Sequence, residues 1–181
     1  QVSVPLAPMT AKPDAEGEMT SQLIFGEAFT AYENESGWVW GQTALDGYVG
    51  YIPEACLMEA MDEPSHRITA LQALVYPDAD FRARPIGALP FGARVSVGER
   101  AAPFVQLNVG GWVAETAVKP VADKAPMWVA TAEIFKGAPY LWGGRSAAGF
   151  DCSGLVQIAL QSANVACPRD SDQQLAALGR D

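Results

Sequence analysis

A cysteine stands between an aspartate and a serine in Asp151-Cys152-Ser153-Gly154, at the head of the apolar run Leu155 to Leu160. A thiol attacks a carbonyl as its thiolate, so a catalytic cysteine needs surroundings that favour the anion. A helix start supplies them, because its first N–H groups lack intrahelical partners and form the positive end of the dipole. The pattern predicts Asp151 as the cap and Cys152 in the first turn. The competing reading is a small buried side chain at the head of an amphipathic helix. Cys56 and Cys167 have no comparable setting and read as structural. Cysteine chemistry also needs a base, and the chain's single histidine, His66, lies far upstream in "MDEPSHRITA", which reads as a connecting stretch.

The rest of the composition narrows the partners. Of 181 residues, 49% are hydrophobic and 18% charged, enough for packed cores and too apolar for disorder. Acidic residues outnumber basic ones 21 to 12, for a formal charge of -9. Such a chain, without a Lys/Arg cluster, suits neither nucleic acid nor an anionic membrane surface, and better suits a ligand that carries an amine. No metal is expected, since there is no CxxC or Cys/His cluster, and no organic cofactor is implied. No apolar run approaches the ~20 residues that span a bilayer, and the first residues lack the basic and apolar regions of a signal peptide. Three cysteines are too few and too scattered for a disulfide framework.

The elements that must hold Cys152 begin with an internal repeat. Phe25-Gly26 aligns with Phe91-Gly92 and Trp38-Val39 with Phe104-Val105, both at an offset of 66. Gly50-Tyr51-Ile52 aligns with Gly111-Trp112-Val113 at an offset of 61, so the second copy is five residues shorter late in the repeat. Apolar residues alternate within each copy and are broken by "NESG", "LDG" and "VGG", the signature of short strands joined by hairpins. Two such copies predict two small β-barrels, at 1–60 and 61–121, rather than a solenoid. From 122 the period changes. Trp128, Ala132 and Phe135 predict a helix that stops near Gly137. A second helix is expected from Asp151, with Leu155, Val156, Ala159, Leu160 and Ala163 as its apolar face, and a third near Ser171. Glycines 143, 144, 149 and 154 are expected to let backbone approach a ligand.

"PYLWGGRSAAGFDCSGLVQIAL" resembles the nucleophile segment of the NlpC/P60 cysteine peptidases, and "CPRDSDQQLAALG" resembles the next segment of that family. The two repeats resemble bacterial SH3 domains. The expected architecture is therefore multi-domain: two SH3-like all-β barrels, then the N-terminal, mainly helical half (122–181) of an α+β papain-like domain. This combination is similar to endopeptidases that cut γ-D-Glu–diamino acid bonds in murein tri- and tetrapeptides with a free N-terminal L-Ala. The resemblance implies Cys152 as nucleophile and Tyr140 beside the developing oxyanion. It places Asp151, Ser153, Arg169 and Asp170 around a pocket for the peptide amine. Glu18 and Tyr48, from the first repeat, would close that pocket. The second repeat lacks the stretch that contains Tyr48 and is expected to be scaffolding.

In the family the base is a histidine several tens of residues after the cysteine. Here 29 residues come after Cys152 and none is histidine. Three accounts remain: a shortened or cleaved chain, a part of a longer one, or a pseudoenzyme. The segment alone is expected to be inactive. A peptide-binding module and an acyltransferase are the alternatives to a peptidase. Recycling of wall peptides with reduced cysteines suggests the cytoplasm, with a periplasmic or secreted role as the alternative. No feature of the pattern specifies an oligomeric state.

Overall fold

A computed structural model describes residues 1–60, 63–125 and 127–178. The boundary expected at 60/61 and the end of the third expected domain adjoin residues outside this set. Five strands open the chain: β1 (Leu6–Thr10), β2 (Met19–Ile24), β3 (Phe29–Glu35), β4 (Trp38–Thr43) and β5 (Val49–Pro53). They form one antiparallel sheet in the order β2-β1-β5-β4-β3. Eight short strands come next: β6 (His66–Ile68), β7 (Gln72–Val75), β8 (Gly87–Pro90), β9 (Arg94–Val95), β10 (Val97–Ala101), β11 (Phe104–Leu107), β12 (Trp112–Ala114) and β13 (Val118–Pro120).

The repeat seen in the sequence is a repeat of pairings. Thr10 pairs with Tyr51 in the first copy, and Tyr76 bridges Trp112 in the second. Val2 bridges Leu57 as Ile68 pairs with Val118. A 3-10 turn succeeds the last meander strand in both, at Glu54–Cys56 and Glu115–Ala117. Alternation explains the strands: β4 and β7 bury every second residue. His66 is not in a connecting stretch. It opens β6, pairing opposite Val95 and Pro120, and its ring meets Ser65 Oγ at 2.9 Å.

The remaining elements are α1 (Trp128–Glu133), the hairpin of β14 (Arg145–Ser146) and β15 (Gly149–Phe150), α2 (Cys152–Ser162) and α3 (Ser171–Leu178). Two expected helix faces are corrected. On α1, Thr131 and Phe135, just beyond the helix, are buried, whereas Trp128 and the neighbouring Met127 and Ile134, expected near the same face, are exposed. On α2 the buried residues are Ser153, Gly154, Gln157, Ile158, Ala159 and Ser162, and Val156 is exposed. The inward face of α2 is polar because it packs on hydrogen-bonding groups, Asp46 of the first copy, Thr131 of α1 and Arg169, as well as on apolar core.

The main core crosses all three parts of the chain. Ile24 and Phe25 join Phe91, Val105 and Val113 of the second copy and Phe135, Phe150 and Ile158 near the cysteine. Phe91, Phe135 and Phe150 stack edge to face at 5.2 and 4.8 Å, the preferred geometry for aromatic quadrupoles. A smaller core of Val2, Ala7, Met9, Leu23 and Ile52 lies inside the first copy. No helix among the described residues is long and apolar enough to cross a membrane.

Candidate active site

Asp151 caps α2 as its sequence implies: Oδ1 accepts the Gly154 N–H at 2.7 Å. Cys152 is then the first helical residue, and its side chain is exposed. The loop before it is held by the same carboxylate, since Oδ2 accepts the Gly143 N–H at 3.0 Å.

Arg169, 1% exposed, completes this knot. Its Nη1 and Nη2 donate to Asp151 Oδ1 and Oδ2 at 3.1 and 2.5 Å. Nη1 also donates to Ser153 Oγ at 2.8 Å, and Nε to Ser21 Oγ on β2 at 3.0 Å. Burial pushes the Asp151 carboxyl up, but Arg169 and the Gly154 and Gly143 amides outweigh it and hold it below its ordinary value. Ser153 Oγ donates to Asp151 Oδ1 at 3.3 Å. The carboxylate thus receives five donors on about four lone-pair sites. Asp151, Ser153 and Arg169 are thus hydrogen-bonded to one another.

Other groups face open space. A cleft of about 410 Å³ is lined by Glu18, Thr20, Tyr48, Trp142, Asp151, Cys152, Ser153, Arg169, Asp170 and Ser171. The structure therefore brings seven of the eight residues singled out in the sequence around one space. Tyr140 is not among them. Its backbone bridges Phe150 and its side chain is 67% exposed.

Glu18 and Asp170 carry the cleft's available negative charge, and among the described residues neither enters an ion pair. The Trp142 indole N–H donates to Glu18 Oε1 at 3.1 Å. Tyr48 has its pKa raised, first by burial and then by the charge of Asp170 and the hydrogen bond to it. A protonated phenol and two carboxylates beside a thiol make a surface suited to an ammonium group. Cys56 and Cys167 lie elsewhere. Burial raises both thiols, that of Cys167 to about 11 with a contribution from Asp46. His66, whose pKa burial and then Arg100 lower, is not among the residues lining the cleft.

Three cleft residues, Thr20, Trp142 and Ser171, carried no role in the sequence reading. Trp142 and Ser171 lie within the quoted motifs, whereas nothing local marks Thr20. The reading also missed Arg145 and Glu27, both buried. Arg145 Nη1 and Nη2 donate to Glu27 Oε2 and Oε1 at 3.0 and 3.1 Å. Burial would lower the Arg145 pKa, but Glu27 outweighs it and the net shift is upward. One signal was present: Glu27 aligns with Ala93 in the repeat, a charge in one copy where the other is apolar.

The glycines approach the protein itself rather than an open ligand space. Gly143 has φ +75°, and a Cβ there would lie 2.6 Å from Met19 O on β2. A Cβ on Gly154 would collide with Gly144 O. Glycine at these positions lets the loop press against both β2 and α2.

Comparison with known proteins bears on both halves of the cleft. Residues 137–181 match the NlpC/P60 family, and residues 9–57 match a bacterial dipeptidyl-peptidase SH3 domain. Cys152 sits in an NlpC/P60 segment. A γ-D-glutamyl-L-lysine dipeptidyl-peptidase of Bacillus cereus is 25% identical over 87% of this chain and 54% of its own length. A Bacillus subtilis protein of the same name is 43% identical over 27% of this chain and 17% of its own. A probable endopeptidase of Mycobacterium tuberculosis is 42% identical over 46% and 22%. The chain thus spans about half the length of the B. cereus relative and less of the others. The crystal structure of an NlpC/P60 family protein from B. cereus superposes with a TM-score of 0.82, at 19% identity, over 97% of this chain and 75% of that one. That likeness establishes the fold, with the NlpC/P60 segment docked on the SH3 domain.

Proposed function

We propose that this chain supplies the nucleophile and the amine-recognition pocket of a cysteine endopeptidase that cuts γ-D-Glu–diamino acid bonds in murein peptides with a free N-terminal L-Ala. The observation that carries this reading is the shared cleft. Cys152 at the start of α2 faces Glu18 and Tyr48 of the SH3 domain and Asp170 of the NlpC/P60 segment. The names of the Bacillus relatives agree with it.

In this reading Glu18 and Asp170 replace the water around the peptide's ammonium. That contact sets how far the γ-carbonyl reaches along the cleft, placing it at the Cys152 Sγ. The thiolate forms a C–S bond to the carbonyl carbon. The C–N bond then breaks and the leaving amine takes a proton, giving a thioester that water hydrolyses. The base that takes the thiol proton and returns it to the amine would be a histidine, and the chain's single histidine, His66, does not line the cleft. Tyr140 is proposed to approach the oxyanion once peptide is bound. The second repeat, as a second SH3-like barrel, and the short helices, as the helical half of the papain-like domain, form the scaffold. The enzyme would recycle wall peptides in the cytoplasm, and the 181-residue chain alone would bind peptide without turning it over.

The test compares binding of L-Ala-γ-D-Glu-diaminopimelate and of its N-acetylated form to this chain by titration calorimetry. Binding at least ~10-fold weaker for the acetylated peptide, without turnover of either, is expected. Equal affinity for both peptides overturns the amine-recognition reading.

A further inference from the structure

The Trp142–Arg145 loop lies along β2 nearly residue for residue. The Trp142 indole meets Glu18, Gly143 presses on Met19 O, and the Arg145 N–H donates to Gln22 Oε1 at 3.0 Å. Arg145 Nη1 donates to Gln22 O at 2.7 Å, and both of its terminal nitrogens grip Glu27. Glu27 Oε2 also accepts the Ile24 N–H at 3.0 Å, so this carboxylate is fixed to the end of β2. Arg145 Nη2 reaches Gln161 of α2 at 3.2 Å, which fixes the guanidinium to the helix that begins with Cys152.

A buried ion pair is weak evidence for added stability, because desolvation offsets its attraction and an apolar pair often packs as well. What the pair adds is direction, since a bidentate Arg–carboxylate contact has one geometry and apolar side chains slide. We propose that the Arg145–Glu27 ion pair is a positioning device: it fixes the register of β2 against the Trp142–Arg145 loop, and thereby holds Glu18 where it meets the substrate's amine. This rests on the reading of Glu18 as an amine acceptor. Arg145 and Glu27 line no part of the cleft and act only through Trp142 and Glu18.

The test uses Glu27→Gln and an Arg145→Met/Glu27→Leu double variant that removes both charges and keeps apolar bulk. Two readouts are taken: dissociation constants for free-amine and N-acetylated peptide, and the NMR resonance of the Trp142 indole N–H. The resonance is assigned with Trp142→Phe, and Glu18→Gln gives its position without the carboxylate. In folded variants, Kd for the free-amine peptide is expected to rise at least ~10-fold with Kd for the acetylated peptide within ~3-fold, a loss of amine positioning rather than of the cleft. The indole resonance moves to its Glu18→Gln position. A folded variant with wild-type affinity or an unmoved indole overturns the proposal. If Glu27→Gln does not fold, the double variant decides. If the wild-type protein fails to prefer the free amine, the amine-recognition reading falls. The indole resonance alone then decides the register, moved in its favour and unmoved against it.

Discussion

The two repeats share their strand pairings and differ in what they offer the Cys152 segment. In the first, the stretch entering and forming β2 reads Glu18-Met19-Thr20-Ser21-Gln22, and four of these side chains face the cleft or the buried arginines. The aligned stretch of the second reads Arg84-Pro85-Ile86-Gly87-Ala88 and has nothing equivalent to give. The longer β4–β5 hairpin of the first supplies Tyr48 to the cleft and Asp46, whose Oδ2 accepts from Gln157 of α2 at 2.7 Å. The shorter β11–β12 turn makes no such contact among the described residues. The second copy instead packs Phe91 on Phe135 and sends Arg67 to the far end of α2. There Arg67 Nη2 donates to Ser162 O at 2.6 Å and Nη1 to Gln161 O at 3.2 Å. A cation on the unpaired carbonyls of a helix C-terminus is favourable. The two copies thus share pairings but not partners, and the difference lies in a handful of polar side chains and a five-residue insertion.

The comparison breaks first at Arg169. Removing it as Arg169→Met leaves the buried Asp151 charge without its partner, and a loss of about 3–5 kcal/mol is expected in urea unfolding. The Arg67→Met loss should be smaller, about 1–2 kcal/mol, because its partners are neutral carbonyls at a partly exposed helix end. If the two losses are equal, the distinction between the ends of α2 is void. The same knot gives a pH dependence. The Asp151 carboxyl is held below its ordinary 3.8 in the fold, so its stabilisation is complete above that value and lost as pH falls through the lowered one. Asp151→Asn should flatten that acid limb of the stability curve.

Thiol labelling separates the regions next. With Cys167 buried and raised to about 11, its reaction with iodoacetamide at pH 8 should be at least ~100-fold slower than that of exposed Cys152, with Cys56 between them. Comparable rates for all three would mean that the fold around Gln157 and Cys167 opens readily. Glu18→Gln should then lower the preference for free-amine over acetylated peptide by ~10-fold. Its counterpart in the second repeat, Arg84→Gln, should change that preference less than ~2-fold, as an exposed charge far from the site. A matching effect of Arg84 would make the second repeat a participant in recognition.

Legibility in the sequence tracks the reach of each signal. The strand alternation, the Asp151 cap and the start of α2 depend on residues a few positions apart, and the repeat copies a whole pattern at a near-constant offset, and so they are legible. The polar inward face of α2 is not, because Ser153, Gln157 and Ser162 look like solvent-facing residues until Asp46, Arg169 and Thr131 are placed against them. Tyr140 is exposed, as Cys152 is, and does not line the cleft.

The sequence by itself determined where Cys152 sits, what caps its helix and which two stretches are copies of one another. Only the tertiary structure decided that Asp151 and Arg169 are used on each other, that Glu18 and Asp170 hold the cleft's available charge, and that Arg145 is matched by Glu27. The physical reason is burial. A carboxylate and a guanidinium 118 positions apart leave no trace in the chain that pairs them, and each becomes specific to the other only once both have lost their water.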